Sequence, residues 1–317
     1  MVGAVRAKRK IPIIVMTYPN DLFMVPLLSF YQEGFVFKDF EKGFKDGLPG
    51  RVMRLGIDVL GNVVILKFDR DTKIREKKKI AMEFLDSHKS VRTVLEKTER
   101  FSGRLRTQDT RWLAGEKTKE ALYKENGCEF RLNVDTCYFS PRLAEERKDI
   151  ASKVKKKEEV LVMFSGVGPF PIVIGKLSRC KKVVGVELGR DCHKYALINV
   201  KRNKLQNVEL YQGDVRRVIK KGGLNLKGTL VPLRFDRIVM ARPNLQDSFL
   251  DVAFSVSKKG TMIHYHGFYN EADKDEMLGM IKEEAKKARK KIKIVRVKKA
   301  GDIGAYKFRY RVDIKVI

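Results

Sequence analysis

Cysteine and tryptophan are both scarce in this chain of 317 residues, at four and one. Its four cysteines, Cys128, Cys137, Cys180 and Cys192, stand too far apart for a C-x-x-C pair. That excludes a zinc ribbon and a dense disulfide framework, and it points to a reduced, intracellular chain with the cytoplasm as expected compartment. No apolar run approaches the roughly 18 residues of a membrane-spanning helix, so no membrane insertion is expected. The opening MVGAVRAKRKIPIIVMTYPND sets a basic stretch before an apolar one. Its apolar part is short, broken by proline and without a small-residue cleavage site, so it reads as a basic tail leading into a strand, not as a signal peptide. Repeats, low-complexity tracts and metal-ligand clusters are missing too, and no metal is expected.

Against 39 Asp and Glu stand 68 Lys and Arg, a formal net charge of +29. With 43% hydrophobic and 34% charged residues, the chain is globular rather than disordered, collagen-like or a membrane bundle. So large a positive surplus concentrates polyanions around the protein, which makes nucleic acid the leading partner and an anionic membrane surface the second.

Three stretches differ in rhythm. Residues 1–50 mix the basic tail, one strand-like run and the Gly-rich exit KGFKDGLPGRV. Residues 51–137 read as a small α+β domain. GIDVLGNVVILKF is a hairpin turning at Gly61-Asn62, a helix covers Thr72 to His88, and VRTVLEKT, RFSGRLRT and EFRLNVDT are strand-like. Residues 138–317 alternate short apolar strands with helix-length segments, as in a parallel sheet covered on both faces. Here a helix is expected to open at Ser140 and Pro141, another at Pro169, a third through Ala196 to Asn203 and a basic one over Glu271 to Lys291. KIKIVRVKK and YKFRYRVDIKVI close the chain as strands.

The sharpest motif is VLVMFSGVGPF, residues 160–170, a strand ending in a Gly-rich turn. Gly166 and Gly168 let the backbone turn sharply and approach a ligand, with Phe164 and Ser165 alongside. A dinucleotide fingerprint needs a further Gly where Pro171 stands, and no Lys-Ser/Thr follows for a phosphate-binding loop. About 20 residues on, Glu187 ends the next strand before Leu188, where a carboxylate can accept both ribose hydroxyls. Asp214, before Val215, ends the third strand, within reach of an adenine amino group. The three together suit an adenosyl ligand without phosphates, namely S-adenosylmethionine.

FSPRLAEER, FSGVGPF, NVKRNKL, GDVR, FDRIVM and IHYHGF, in this order, resemble the tRNA (guanine-N1)-methyltransferases of archaeal and eukaryal type, which act at position 37. GNVVILKF, VRTVLEKT, GRLRT and LAGEKTKEALYKENGCEFRLNV resemble that family's small domain, so the likeness spans roughly residues 52–315. It implies a class I, Rossmann-like methyltransferase domain with a mostly parallel seven-stranded sheet after a small α+β tRNA-binding domain. It also implies S-adenosylmethionine as cofactor, tRNA as partner and a monomer. The sister aminocarboxypropyltransferases usually carry Gly-Asn or Ala-Asn where this chain has Pro141-Arg142. That transfer, to a wybutosine-type guanosine precursor, is one alternative; a catalytically weak tRNA-binding homologue is the other.

The resemblance assigns roles. Glu146 falls on the family's base, which removes the N1 proton of guanine, and Arg106 on the arginine that stabilises negative charge at O6. Arg147 is expected at the cofactor and Arg142 on the substrate. Ala241-Arg242-Pro243, with Asn244 after it, aligns with the family's Asn-Leu-Pro beside the target base, and Val162 with its Asp before the Gly-rich turn. Without the resemblance, Arg142 and Glu146 at i,i+4 read as a surface ion pair. His264 and His266 read as satisfied sheet histidines, Trp112 as a packing residue, and the basic runs near Lys77, Lys155 and Lys286 as solvated faces.

Overall fold

The computed structural model describes residues 13–18, 21–26, 56–99, 101, 103–220, 223–226, 229–241, 247–304 and 306–317. The chain divides into two compact units, Met1–Met53 and Arg54–Ile317. In the first, strand β1 (Ile13–Tyr18) pairs antiparallel with β2 (Asp21–Pro26).

The second unit opens with β3 (Gly56–Leu60) and β4 (Val63–Lys67), a hairpin whose turn needs the positive φ of Gly61. Helix α1 (Ile74–Ser87) buries Ile80, Ala81 and Phe84. β5 (Thr93–Lys97) lies parallel to β4 and β6 (Thr110–Gly115) antiparallel to β5, giving a four-stranded sheet in the order β3-β4-β5-β6. Trp112 on the edge strand β6 is 36% exposed, with its indole N–H donating to the Glu116 carbonyl, so it does not pack in the core of this unit. Within RFSGRLRT, residues 103–106 are not a strand. Gly103 and Arg106 both have positive φ, which folds residues 103–106 into turns that an extended run cannot contain.

β7 (Glu120–Glu125) and β8 (Cys128–Asn133) form a separate hairpin around Asn126-Gly127, both left-handed as a two-residue I′ turn requires. After a 3₁₀ turn over Pro141–Leu143 comes α2 (Ala144–Ser152). Ser140 precedes the turn in an extended conformation, without a side-chain capping bond.

The alternating region then builds β9 (Glu159–Met163), α3 (Pro169–Leu177), β10 (Lys182–Glu187), α4 (Arg190–Arg202) and β11 (Val208–Gln212). A meander absent from the sequence reading follows, with the short helix α5 (Val215–Val218) and strands β12 (Ile219–Lys220), β13 (Gly223–Leu226) and β14 (Thr229–Pro232). β15 (Phe235–Met240), α6 (Leu250–Ser255), β16 (Ser257–Asn270), α7 (Lys274–Lys287), β17 (Ile292–Gly304) and β18 (Lys307–Val316) complete the chain.

The seven-stranded sheet runs β11-β10-β9-β15-β16-β18-β17, with the first five strands parallel and the last two joined antiparallel. Val160, Leu161, Val162 and Met163 of the central β9 are fully buried, as expected of a parallel strand covered on both faces. Val162 therefore packs in the core. No break separates residues 51–137 from 138–317. The β7–β8 hairpin accepts support from both sides: Asn62 Oδ1 takes the Leu122 N–H, while Asn199 and Asn203 of α4 bond the backbone of Arg131 and Glu129.

Past the register pair Met240–Tyr265, β15 stops, but β16 and β18 stay paired to Asn270–Lys307, with β17 alongside to Gly304. These last five residues of β16 and their partners form a three-stranded overhang of roughly 16 Å beyond the carboxyl ends of the parallel strands.

Two buried ionic arrangements hold the unit together. Arg147 on α2 and Glu125 on β7 form a bidentate pair with both side chains 1% exposed, and Arg147 also donates to the Ser140 carbonyl at 3.1 Å. Across the sheet, Arg237 donates to Glu158 at 2.8 Å and to His264 Nε2 at 2.7 Å, while His264 Nδ1 donates to Asp313 at 2.6 Å. Burial pushes His264 from the usual 6.5 down to about 4, with Asp313 opposing, so the ring is neutral at pH 7.

Glu125→Ala strands the Arg147 charge in a dry interior, and chemical denaturation should show a loss of about 3–5 kcal/mol. Unchanged stability would contradict that pairing. His264 binds a proton more weakly folded than unfolded, so its contribution is present above pH 6.5 and drains away as pH falls toward 4, by about 3 kcal/mol. The thermal midpoint should drop over that window; a flat profile from pH 7 to 4.5 would refute the assignment.

Candidate active site

A cavity of about 400 Å³ opens at the carboxyl ends of β9, β10, β11 and β15, where open α/β sheets place their ligands. Of the residues picked out from sequence, Arg106, Arg147, Phe164, Ser165, Gly166, Glu187, Leu188, Asp214, Val215 and Ala241 line it.

Local geometry shapes one end. Phe164, Gly166 and Gly168 all have positive φ, so the chain leaving β9 coils tightly before α3. Gly168 caps α3 at φ +91°, and a Cβ there would stand 2.9 Å from Ile172 Cδ1. The turn is fastened by its carboxylate neighbour: Glu187 accepts the Gly166 N–H on one oxygen and the Gly189 N–H on the other, each at 2.7 Å. Burial raises the Glu187 pKa, and these backbone N–H groups oppose the rise. The Ser165 hydroxyl is buried and has no hydrogen-bond partner among the described residues. A tightly coiled glycine turn, an orphaned hydroxyl and a carboxylate with lone pairs to spare fit an adenosyl group and its ribose hydroxyls.

Asp214 caps α5 by accepting the Arg216 N–H at 2.8 Å and is bridged by Arg104 from the 103–106 turn. Burial would raise its pKa, but the Arg216 N–H and the Arg104 guanidinium bring it below the ordinary range. Arg104 thus crosses one edge of the cavity. Two residues on, Arg106 sets its guanidinium 5.6 Å from the Tyr138 ring and 6.0 Å from Phe101, held by two aromatic faces beside the cavity.

Glu146 is buried and lies behind the cavity surface, screened by His266, which does line it. Its Oε1 accepts from Arg311 at 2.6 Å and sits 3.3 Å from His266 Nε2, and its Oε2 pairs with Lys298 at 2.7 Å. Burial alone would push this carboxyl up, but His266, Lys298 and Arg311 outweigh it and hold it at about 2. It is ionised at any working pH.

Other expected residues are placed differently. Arg147 lines the cavity, but its guanidinium is committed to Glu125 and the Ser140 carbonyl. Arg142 is exposed on the 3₁₀ turn, 3.6 Å from Asp58, so the surface ion pair with Glu146 that the spacing allowed does not form. Arg242, Pro243 and Asn244 lie outside the described residues. His266 was read as an ordinary sheet histidine, although it touches both Glu146 and the cavity. Arg311 and Lys298 were missed, yet the alternation of Lys307, Arg309 and Arg311 along β18 is a period-two signal of one cationic sheet face. Among the described residues, no group of three or more His, Cys, Asp or Glu side chains could hold a metal ion, and no helix is long and apolar enough to cross a membrane.

Comparison with known proteins agrees with this geometry. Residues 121–295 match the TRM5/TYW2 methyltransferase domain, and residues 50–118 match the TYW2 N-terminal domain. The Pyrococcus abyssi protein named tRNA (guanine(37)-N(1))-methyltransferase Trm5b is 34% identical over 223 residues, 70% of this chain and 63% of that protein, so the match spans less than two thirds of its length. The Nanoarchaeum equitans tRNA (guanine(37)-N(1))/4-demethylwyosine(37)-methyltransferase Taw22 is 31% identical over 306 residues, 83% of this chain and 100% of that one. The crystal structure of wild-type Trm5b from Pyrococcus abyssi superposes with a TM-score of 0.71 at 28% identity, covering 94% of this chain and 84% of that one. With a family match over more than half its length, the chain belongs to the TRM5/TYW2 methyltransferase family.

Proposed function

We propose that this protein transfers a methyl group from S-adenosylmethionine to N1 of guanosine 37 in tRNA. What carries the reading is one cavity with an adenosyl-shaped end at Gly166, Glu187 and Asp214 and with Arg106 and the Glu146–His266 pair at its border. S-adenosylmethionine supplies an electrophilic methyl group on a sulfonium. Glu187 would hold the ribose, and Asp214 the adenine edge once Arg104 yields. The protein's remaining task lies with guanine, whose N1 is a nucleophile only after losing its proton.

Arg106 would meet the charge that this loss leaves on O6, with an orientation fixed by Tyr138 and Phe101. Glu146 would take the proton. Clamped by Arg311, Lys298 and the His266 ring, it is a weak acceptor, so its basicity must rise as substrate arrives. Lys298, with a side chain 25% exposed against 0% for Arg311, is the partner free to move away. Ala241 supplies only a methyl group to the cavity wall where the family places an Asn, which leaves more room beside the target base.

That room, with the match of residues 50–118 to the TYW2 N-terminal domain, favours a second reading in which the acceptor is a wyosine-type guanosine precursor. The transferred group would then be methyl, or aminocarboxypropyl as in the sister enzymes.

Incubation of the protein with unmodified tRNA and methyl-labelled S-adenosylmethionine should give N1-methylguanosine at position 37, identified by mass spectrometry after digestion. A product heavier by an aminocarboxypropyl group, or none at all with cofactor bound, would overturn the main reading. Glu146→Gln should lower the single-turnover rate by about 10² or more while cofactor affinity stays within about twofold. Retained activity would remove Glu146 as the base.

A further inference from the structure

The overhang of β16, β17 and β18 stands beside the cavity mouth and presents it with one face. Because side chains alternate across a strand, His266 and Phe268 of β16 share that face, as do Lys307, Arg309 and Arg311 of β18. Four of these five line the cavity, and so does Ile303 of β17. Arg311 is the exception, turned inward to Glu146 and Asp149. Arg309 places its guanidinium 5.0 Å from the Phe268 ring, and Ile303 is 45% exposed. At the tip, between Gly304 and Lys307, Tyr306 is 81% exposed with φ +57°, the most solvated large hydrophobic side chain among those described.

Each feature is unusual for a sheet surface whose only task is to cover a core. A nearly free tyrosine and a half-exposed isoleucine at one tip are unfavourable in water unless something covers them. The chemistry narrows the occupant. Flat apolar surfaces interleaved with cations suit a strand of nucleotides, whose bases stack on aromatic or guanidinium planes while phosphates meet Lys and Arg. A double helix offers no unstacked base. An acidic peptide would meet the cations but make no use of stacking planes.

We propose that the Phe268–Lys307–Arg309 face, with Tyr306 at the tip of the overhang, binds the single-stranded nucleotide next to the methyl acceptor, along the cavity wall beside the acceptor's own position. This rests on the tRNA reading above. A base that enters the cavity must leave its stack, and doing so exposes the faces of its neighbours. The overhang then offers a replacement: the Arg309–Phe268 plane or the Tyr306 ring for the neighbouring base, and Lys307 with Arg309 for the phosphate joining it to the acceptor. The same face thereby offsets part of the unstacking cost and fixes the acceptor's depth in the cavity.

The test uses the full-length protein with unmodified tRNA and with the isolated anticodon stem-loop carrying guanosine 37. Tyr306→Ser alters a side chain nearly free in solution and so leaves the fold intact, whereas the double variant Lys307→Gln/Arg309→Gln removes two cations. Cofactor affinity, measured alongside, should stay within about twofold for both. Tyr306→Ser should weaken binding of both RNAs by about fivefold or more. The double variant should weaken it by about tenfold or more and make the slope of log affinity against log salt shallower by about 0.7 per lost cation. RNA affinity and salt slope unchanged in both variants, with the wild type still methylating tRNA, would overturn this inference alone. A wild type that neither binds nor methylates tRNA would overturn the tRNA reading and this inference together.

Discussion

A carboxylate removed from water must be met by positive charge, and Glu146, 4% exposed, sets that condition for the whole site. Arg311 meets it from β18 and at the same time bonds Asp149, one turn along α2, and Asp313 on its own strand. Through this one guanidinium α2 and β18 are fixed against one another. His266 and Lys298 add the second and third contacts from β16 and β17, so three consecutive neighbours in the sheet converge on one side chain. The cavity lies between these strands and the Gly-rich turn, and its shape follows from how tightly Glu146 is held.

The cofactor end depends on backbone shape instead. Three positive-φ residues within five positions, Phe164, Gly166 and Gly168, coil the chain so that amide groups face Glu187. Two of them are glycine and adopt this shape freely; Phe164 does so at a cost of order 1 kcal/mol, offset by its edge-to-face contact with Phe249 at 5.0 Å. Strain at this point trades stability for a surface that a ligand can approach closely.

Much of this was legible in the sequence, and where it was not there is a physical reason. The parallel sheet could be read because β9, β10 and β15 each carry a short apolar run, and Glu187 and Asp214 because strand ends are where such sheets carry ligands. RFSGRLRT misled because its composition suits a strand, whereas Gly103 and Arg106 take left-handed φ values that no local pattern announces. Arg142 and Glu146 have helical spacing, but a 3₁₀ turn intervenes and sends Arg142 to Asp58. Arg147 showed the right address but not the partner, since Glu125 lies 22 residues away on another hairpin. Long-range pairing of this kind, Arg311 with Glu146 included, is set by topology, and single-chain spacing carries no trace of it.

Asn199 of α4 shows how narrowly one side chain can be specified. Fully buried, it accepts the Arg131 N–H at 2.7 Å and donates to the Arg131 carbonyl and to the Val167 carbonyl, each at 3.0 Å. The first two bonds copy what a neighbouring strand would offer β8, and the third reaches the Gly-rich turn. An amide has two N–H groups and one carbonyl, and all three are in use. Aspartate would lack both donors, leucine would lack everything but volume, and glutamine would overshoot by a methylene. Of the twenty side chains only asparagine closes this junction without an orphan, so the hairpin and the cofactor turn are joined through a single irreplaceable amide.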